Sequence, residues 1–236
     1  MRQVRWLLLP LLLAVFSAAT PQTLKTPLDL DPQAPRGITP VPIVAFSFEL
    51  TGADPAHYEI AVEARGRAAY RSTGHQRADS PGSAAGDPYL IRFTMSPATR
   101  QDIFDLAARA HYFEKNIAYT KGRLANMGAK TLTYSDEKVF HQQSYNYSTV
   151  APVQELTELF QNISTTLELA RRLEFAYKYE KLGVDEELRN MEDEAKRNRL
   201  VEVQAVAPLL KQIANDPSVL NMARERAQRL LKTSSE

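Results

Sequence analysis

The stretch HYEIAVEARGRAAYRSTG, residues 57–74, limits the possible folds more than any other part of this chain. Tyr58, Ile60, Val62 and Ala64 alternate with His57, Glu59, Ala61 and Glu63, the period of a strand with one buried face. Arg65-Gly66 predicts a reversal, because glycine adopts at little cost the positive φ that a tight hairpin needs. On the returning arm Ala68, Tyr70 and Ser72 share a face, and Gly74 ends it. A hairpin in this position calls for further strands beside it and an apolar layer over one face.

The flanking segments supply both. Val44, Phe46, Phe48 and Leu50 alternate before the hairpin, and Tyr89, Ile91, Phe93 and Met95 after it. Ser96-Pro97 reads as a helix start, with Ile103, Leu106, Ala107 and Ala110 on the buried stripe, and His111-Tyr112-Phe113 as an aromatic stop. Residues 129–134 and 139–147 form a second hairpin around Ser135-Asp136-Glu137-Lys138. On its last strand His141, Gln143, Tyr145 and Tyr147 share one face and Phe140, Gln142, Ser144 and Asn146 the other; neither is apolar, which predicts an edge strand or an exposed surface. From Pro152 the period becomes helical through Val153, Leu156, Phe160, Ile163, Leu167 and Ala170, with Ser164-Thr165-Thr166 as a possible break. The fold class is therefore α+β: an antiparallel sheet built from hairpins and covered by two helices, followed by an α-helical C-terminal tail.

At 236 residues with 44% apolar side chains, the chain holds enough material for a sizeable core. Arg2 and Arg5 precede an apolar run broken by Pro10 and then the small residues Ser17, Ala18 and Ala19, the pattern of a secretory leader cut after Ala19. The run is too short to span a bilayer, so removal of the leader leaves no transmembrane segment. The expected divisions are 1–19, signal peptide; 20–42, a linker with six prolines; 43–170, the α+β domain; and 171–236, the helical tail. A cut after Leu182 is accordingly expected to leave the sheet folded.

Losing the leader moves the formal charge from +1 to −1, so a general attraction to nucleic acid is not expected. The chain has no cysteine, which excludes disulfides, thiolate metal sites and a cysteine nucleophile. Ser135 and Lys138 have the spacing of a serine–lysine acylase but sit in a hairpin turn, not at a helix start, and the nucleophile-elbow and phosphate-loop motifs are absent. The acids Glu186-Glu187 and Glu192-Asp193-Glu194 fall on the outer face of a charged helix, where nothing separates their pKa values for acid–base work. His57 and Glu59 share a face and are candidates to meet His141 across the sheet, but solvent-facing roles are the simpler reading. No metal or other cofactor is expected. His57, His141, Gln143, Tyr145 and Tyr147 remain as candidate binding residues, since amphipathic rings suit wet protein or glycan contacts.

Tyr58-x-Ile60-x-Val62, Gly66, Tyr70 and Gly74, then the Ser-capped helix ending in Tyr112-Phe113, and Thr131-Leu132-Thr133-Tyr134 before a closing helix, together resemble an exported bacterial family whose domain has no known activity. That resemblance covers residues 43–170 and implies export, which agrees with the leader and with a periplasmic or extracellular location. Pro208, Leu209, Leu210 and Ile213, the turn Asn215-Asp216-Pro217, and Val219, Ala223, Ala227 and Leu230 resemble one HEAT-type helical hairpin. One such unit cannot bury its own face, so it either docks on the preceding helices or meets a partner. The sequence thus points to a non-catalytic module binding another envelope or periplasmic protein, the alternative being an enzyme or small-ligand binder with its site between sheet and tail.

Overall fold

A computed structural model describes residues 41–74 and 88–233. The leader and almost all of the proline-rich segment lie outside the described residues. Six strands form one antiparallel sheet: β1 (Ile43–Glu49), β2 (His57–Glu63), β3 (Arg67–Thr73), β4 (Tyr89–Thr94), β5 (Ala129–Ser135) and β6 (Phe140–Tyr145), in the order β4-β3-β2-β1-β5-β6. The β2–β3 hairpin turns at Gly66, whose φ is +94° and whose N–H donates to the Glu63 carbonyl at 2.8 Å. The Gly66 carbonyl accepts from Met95 N–H at 2.8 Å, which ties the end of β4 to the same turn.

Registration of the strands lines the inner face with three cross-sheet rows. One is Tyr145, Lys130, Phe48, Tyr58, Ser72 and Tyr89; the next is Gln143, Leu132, Phe46, Ile60, Tyr70 and Ile91; the third is His141, Tyr134, Val44, Val62, Ala68 and Phe93. The outer face has only a small cluster of Ala61 and Ala69 with Ile43 and Ala45, to which no described helix contributes. Glu63 lies beside it, its carboxylate held at two points by Arg67, both at 2.8 Å.

Two helices cover the inner face. α1 (Pro97–Arg109) starts at Ser96, whose hydroxyl accepts the Thr99 N–H, and buries Ile103, Leu106 and Ala107. α2 (Ala151–Tyr179) crosses the strands from the β6 edge towards β3: Thr157 meets Tyr145, Phe160 stacks on Phe46 at 5.3 Å, and Ser164 and Glu168 meet Tyr70. The expected break at residues 164–166 does not occur. Thr165 and Thr166 donate their hydroxyls back to the Gln161 and Asn162 carbonyls, as threonine does inside a helix, and the ladder continues.

The tail holds α3 (Val184–Lys196), α4 (Ala207–Asn215) and α5 (Asn221–Thr233). Residue 170, the expected domain boundary, falls inside the unbroken α2, and one apolar cluster runs from Val44 in β1 to Leu230 in α5. Two polar contacts close the same junction. Glu202, buried and at φ 64°, accepts from the Ser96 N–H at 3.0 Å and the Ser96 hydroxyl at 2.7 Å, so the tail caps the start of α1. Thr166 accepts from Val201 N–H at 3.0 Å. The acids of α3 do not all face water: Asp185 accepts from Arg226 at 2.8 Å and Arg189 at 3.0 Å, and Glu192 pairs with Arg226 and Arg229. Among the described residues no helix is long and apolar enough to cross a membrane.

These contacts reverse the expectation for truncation. Ending the chain at Leu182 removes Val184, Leu188, Met191 and Leu210, all fully buried, and the Glu202 cap. Each lost core side chain is worth about 2–5 kcal/mol, against about 5–15 kcal/mol for a whole domain. The truncated protein should lose its cooperative urea transition by circular dichroism, and a sharp transition at the full-length midpoint would show that the tail is an independent unit.

Candidate functional site

The five candidate residues do not converge. Alternation from the buried Tyr58 puts His57 on the outer face, where its Nε2 lies 3.2 Å from Glu59. His141, Gln143 and Tyr145 lie on the inner face of β6, with β1 and β5 between that strand and β2. Three strand spacings are about 14 Å, and the sheet itself separates the faces, so His57 and His141 cannot share a ligand. Among the described residues no three His, Asp or Glu side chains group where one metal ion would be held.

The β6 side chains have separate local roles. The His141 Nδ1 lies 3.1 Å from the Tyr112 carbonyl, so that nitrogen carries the proton. Its partner belongs to a left-handed turn in which His111, Tyr112 and Phe113 take φ of 52°, 50° and 62°. Each such residue costs about 1–2 kcal/mol, so the turn needs support from its surroundings. Phe113 is fully buried and the Tyr112 ring lies 4.4 Å from that of Tyr134, which anchors the turn on β5 and β6. Tyr145 is buried, its hydroxyl 2.5 Å from Thr157 on α2. Tyr147 accepts from Gln154 at 3.0 Å and meets Tyr119 edge-on at 6.1 Å. Gln143 is half-buried between His141 and Tyr145. The Asn146 side-chain amide donates to the Ala125 carbonyl at 2.7 Å and accepts from Met127 N–H at 2.7 Å.

The buried polar chemistry lies elsewhere, in residues that pattern reading passes over. Glu168 is 5% exposed, between α2 and the sheet. Tyr70 donates to its Oε1 at 2.7 Å, Ser72 at 2.5 Å, and Arg171 donates to Oε2 at 2.7 Å. Burial holds the Tyr70 phenol far above its ordinary range, with the nearby Glu168 charge acting the same way; burial also raises Tyr58. Lys130 is a second buried charge, its ammonium held by the carbonyls of Met127 at 2.8 Å, Gly128 at 3.2 Å and Asn146 at 3.0 Å, and burial lowers its pKa. Gly128 belongs to this arrangement: at φ +87° its Cα stands over the Phe48 ring, and a Cβ there would come within 2.3 Å of it. A sequence signal existed for Glu168. Ser164 and Glu168 recur one turn apart, in line with Phe160, on the part of α2 that faces Tyr70 and Ser72.

Chemically, the Glu168 cluster is a saturated hydrogen-bond network that fixes α2 to β3. Removing the carboxylate takes away the charged acceptor to which the Tyr70 and Ser72 hydroxyls donate, at about 1–3 kcal/mol each. Glu168→Ala should therefore lower stability by about 3 kcal/mol in urea melts, and a change below about 0.5 kcal/mol would show that the network contributes nothing. The phenols give a pH test. Burial raises Tyr89 and Tyr145 from 10.0 to about 12, so the folded state holds these protons more tightly than the unfolded chain. Stability from these phenols is complete below pH 10.0 and declines as pH rises through about 12. Absorbance at the phenolate band should accordingly rise in two steps, solvent-exposed tyrosines first and the buried set only with unfolding; a single step near 10.0 would contradict the burial. No protein-family model matches the chain, and no curated protein matches it either.

Proposed function

We propose that the protein is an exported, non-catalytic module of the cell envelope that binds another protein through the end of its helical layer. The observation that supports this is a row of exposed apolar side chains, Phe175 at 48%, Tyr179 at 72% and Leu182 at 82%, on the last turns of α2 and the short 3₁₀ turn after it. Phe175 and Tyr179, one turn apart on α2, share a side of the helix and their rings pack at 5.0 Å as a ridge, and Leu182 stands exposed in the turn that follows it. A ridge of this kind suits an apolar groove on a partner, with this chain supplying the anchors. The support beneath it is rigid. Tyr177 donates to Asp216 at 2.8 Å, and Lys181 pairs with Asp216 at 3.1 Å and with Ser218, which fastens the end of α2 to the α4–α5 turn. Export rests on the leader pattern and on the resemblance to an exported family of unknown activity.

The test is in-cell crosslinking of the native chain and of a variant carrying Phe175→Ser, Tyr179→Ser and Leu182→Ser, with captured proteins identified by mass spectrometry. The three side chains are largely exposed, so the variant should keep its melting temperature. Burying such anchors is worth about 2 kcal/mol each at an interface, and capture of the partner should fall more than tenfold. Capture that is undiminished by the substitutions, or absent for both proteins, would overturn the proposal.

A further inference from the structure

We propose that β6 pairs edge to edge with β6 of a second copy, joining two six-stranded sheets into one antiparallel sheet of twelve strands. The sheet is open, with β4 at one edge and β6 at the other. An edge strand presents unpaired N–H and C=O groups to any passing strand, and proteins that stay apart guard it with charge, proline or a bulge. β4 is guarded, with Pro88 directly before it and the exposed Arg92 within it. β6 reads FHQQSY, with no charged residue and no proline, and pairs with β5 through six successive residues without a bulge. Among the described residues, no hydrogen bond outside the sheet ladder reaches the main chain of residues 140–145. Val139 and Phe140, 38% and 40% exposed, add an apolar end to the same edge.

The strand is complementary to itself. Two antiparallel strands related by a two-fold axis keep their faces, so one residue must stand opposite its own counterpart. With Gln142 on the axis it stands opposite its own counterpart, each side-chain amide donating to Thr133 of its own chain at 3.1 Å, while Phe140 stands opposite Ser144 of the second copy and His141 opposite its Gln143. No like charges meet in this register. It also stays clear of Tyr147, whose carbonyl already accepts from the Tyr119 N–H at 2.9 Å. Because the β4 edge is guarded, addition stops at two copies instead of continuing as a filament.

The experiment is sedimentation equilibrium on the mature chain over a hundredfold concentration range. The expected mass rises from one chain to two, and not beyond. Gln142→Lys places two ammonium groups face to face across the axis and should hold the mass at one chain, with the melting temperature of the dilute protein unchanged. Gln142→Glu alone should behave likewise, and an equimolar mixture of the two variants should restore the mass of two chains. A native chain that stays at one chain throughout, or a Gln142→Lys protein that dimerises like the native one, would overturn the proposal. The Phe175, Tyr179 and Leu182 variant should dimerise normally, which separates this surface from the protein-binding ridge.

Discussion

The packing of α2 across one face of the sheet is the constraint from which the other contacts follow. A helix lying along the strands would cover two or three of them; this one meets β6 at Tyr145, β1 at Phe46 and β3 at Tyr70. Those three points fix its rotation as well as its path, because Thr157, Phe160, Ser164 and Glu168 recur at the three- and four-residue spacing of one side of a helix. With α2 placed, its opposite side has to be covered, and α3 and α4 do so through Val184, Leu188, Met191 and Leu210. The tail is thus a second layer of the same core.

The buried charges mark where the layers must register. Glu168 is satisfied by two hydroxyls of β3 and an arginine of its own helix, Lys130 by three carbonyls, and Glu202 by Ser96, the cap of α1. Apolar contact alone tolerates a helix sliding by a few tenths of an ångström, whereas a buried carboxylate loses its partners if it slides. Glu168 and Glu202 sit at junctions between elements distant in sequence, which is where alternative packings would otherwise compete. The left-handed turn at His111, Tyr112 and Phe113 stands at another such junction, and its backbone strain is sustained by the burial of Phe113 and the His141 contact.

The parts legible in the sequence were those with a local period. Alternation located the strands and the inner face of β2, and the Ser96-Pro97 pair located the start of α1 to the residue. The same alternation already held the outward placement of His57, since Tyr58, Ile60 and Val62 face the helices. The face of β6 was not readable in this way, because both of its rows are polar; only pairing with β5 decides that His141, Gln143 and Tyr145 look inward. The expected break at residues 164–166 fails for a related reason. A run of Ser164, Thr165 and Thr166 lowers helix propensity in a peptide, but here Ser164 bonds Tyr70 and Thr166 bonds Val201, so tertiary partners carry the helix through. The carboxylate of Glu202 carries no sequence signal as the cap of a helix more than a hundred residues earlier, because capping patterns are read only within a few positions.

The helical hairpin of α4 and α5 shows what such a unit needs. Its apolar residues Leu210, Ile213, Ala223, Ala227 and Leu230 are buried, so the face that a neighbouring repeat would cover in a solenoid is already occupied by α2 and α3. That arrangement removes the hairpin's inner face as a docking surface. The apolar side chains left in water lie at the margin, Phe175, Tyr179 and Leu182 on the α2 side of the Asp216 turn and Leu220 and Met222 just beyond it. Keeping five large apolar groups exposed near one turn carries a solubility cost, and that cost is what the proposed contact with an apolar surface would offset.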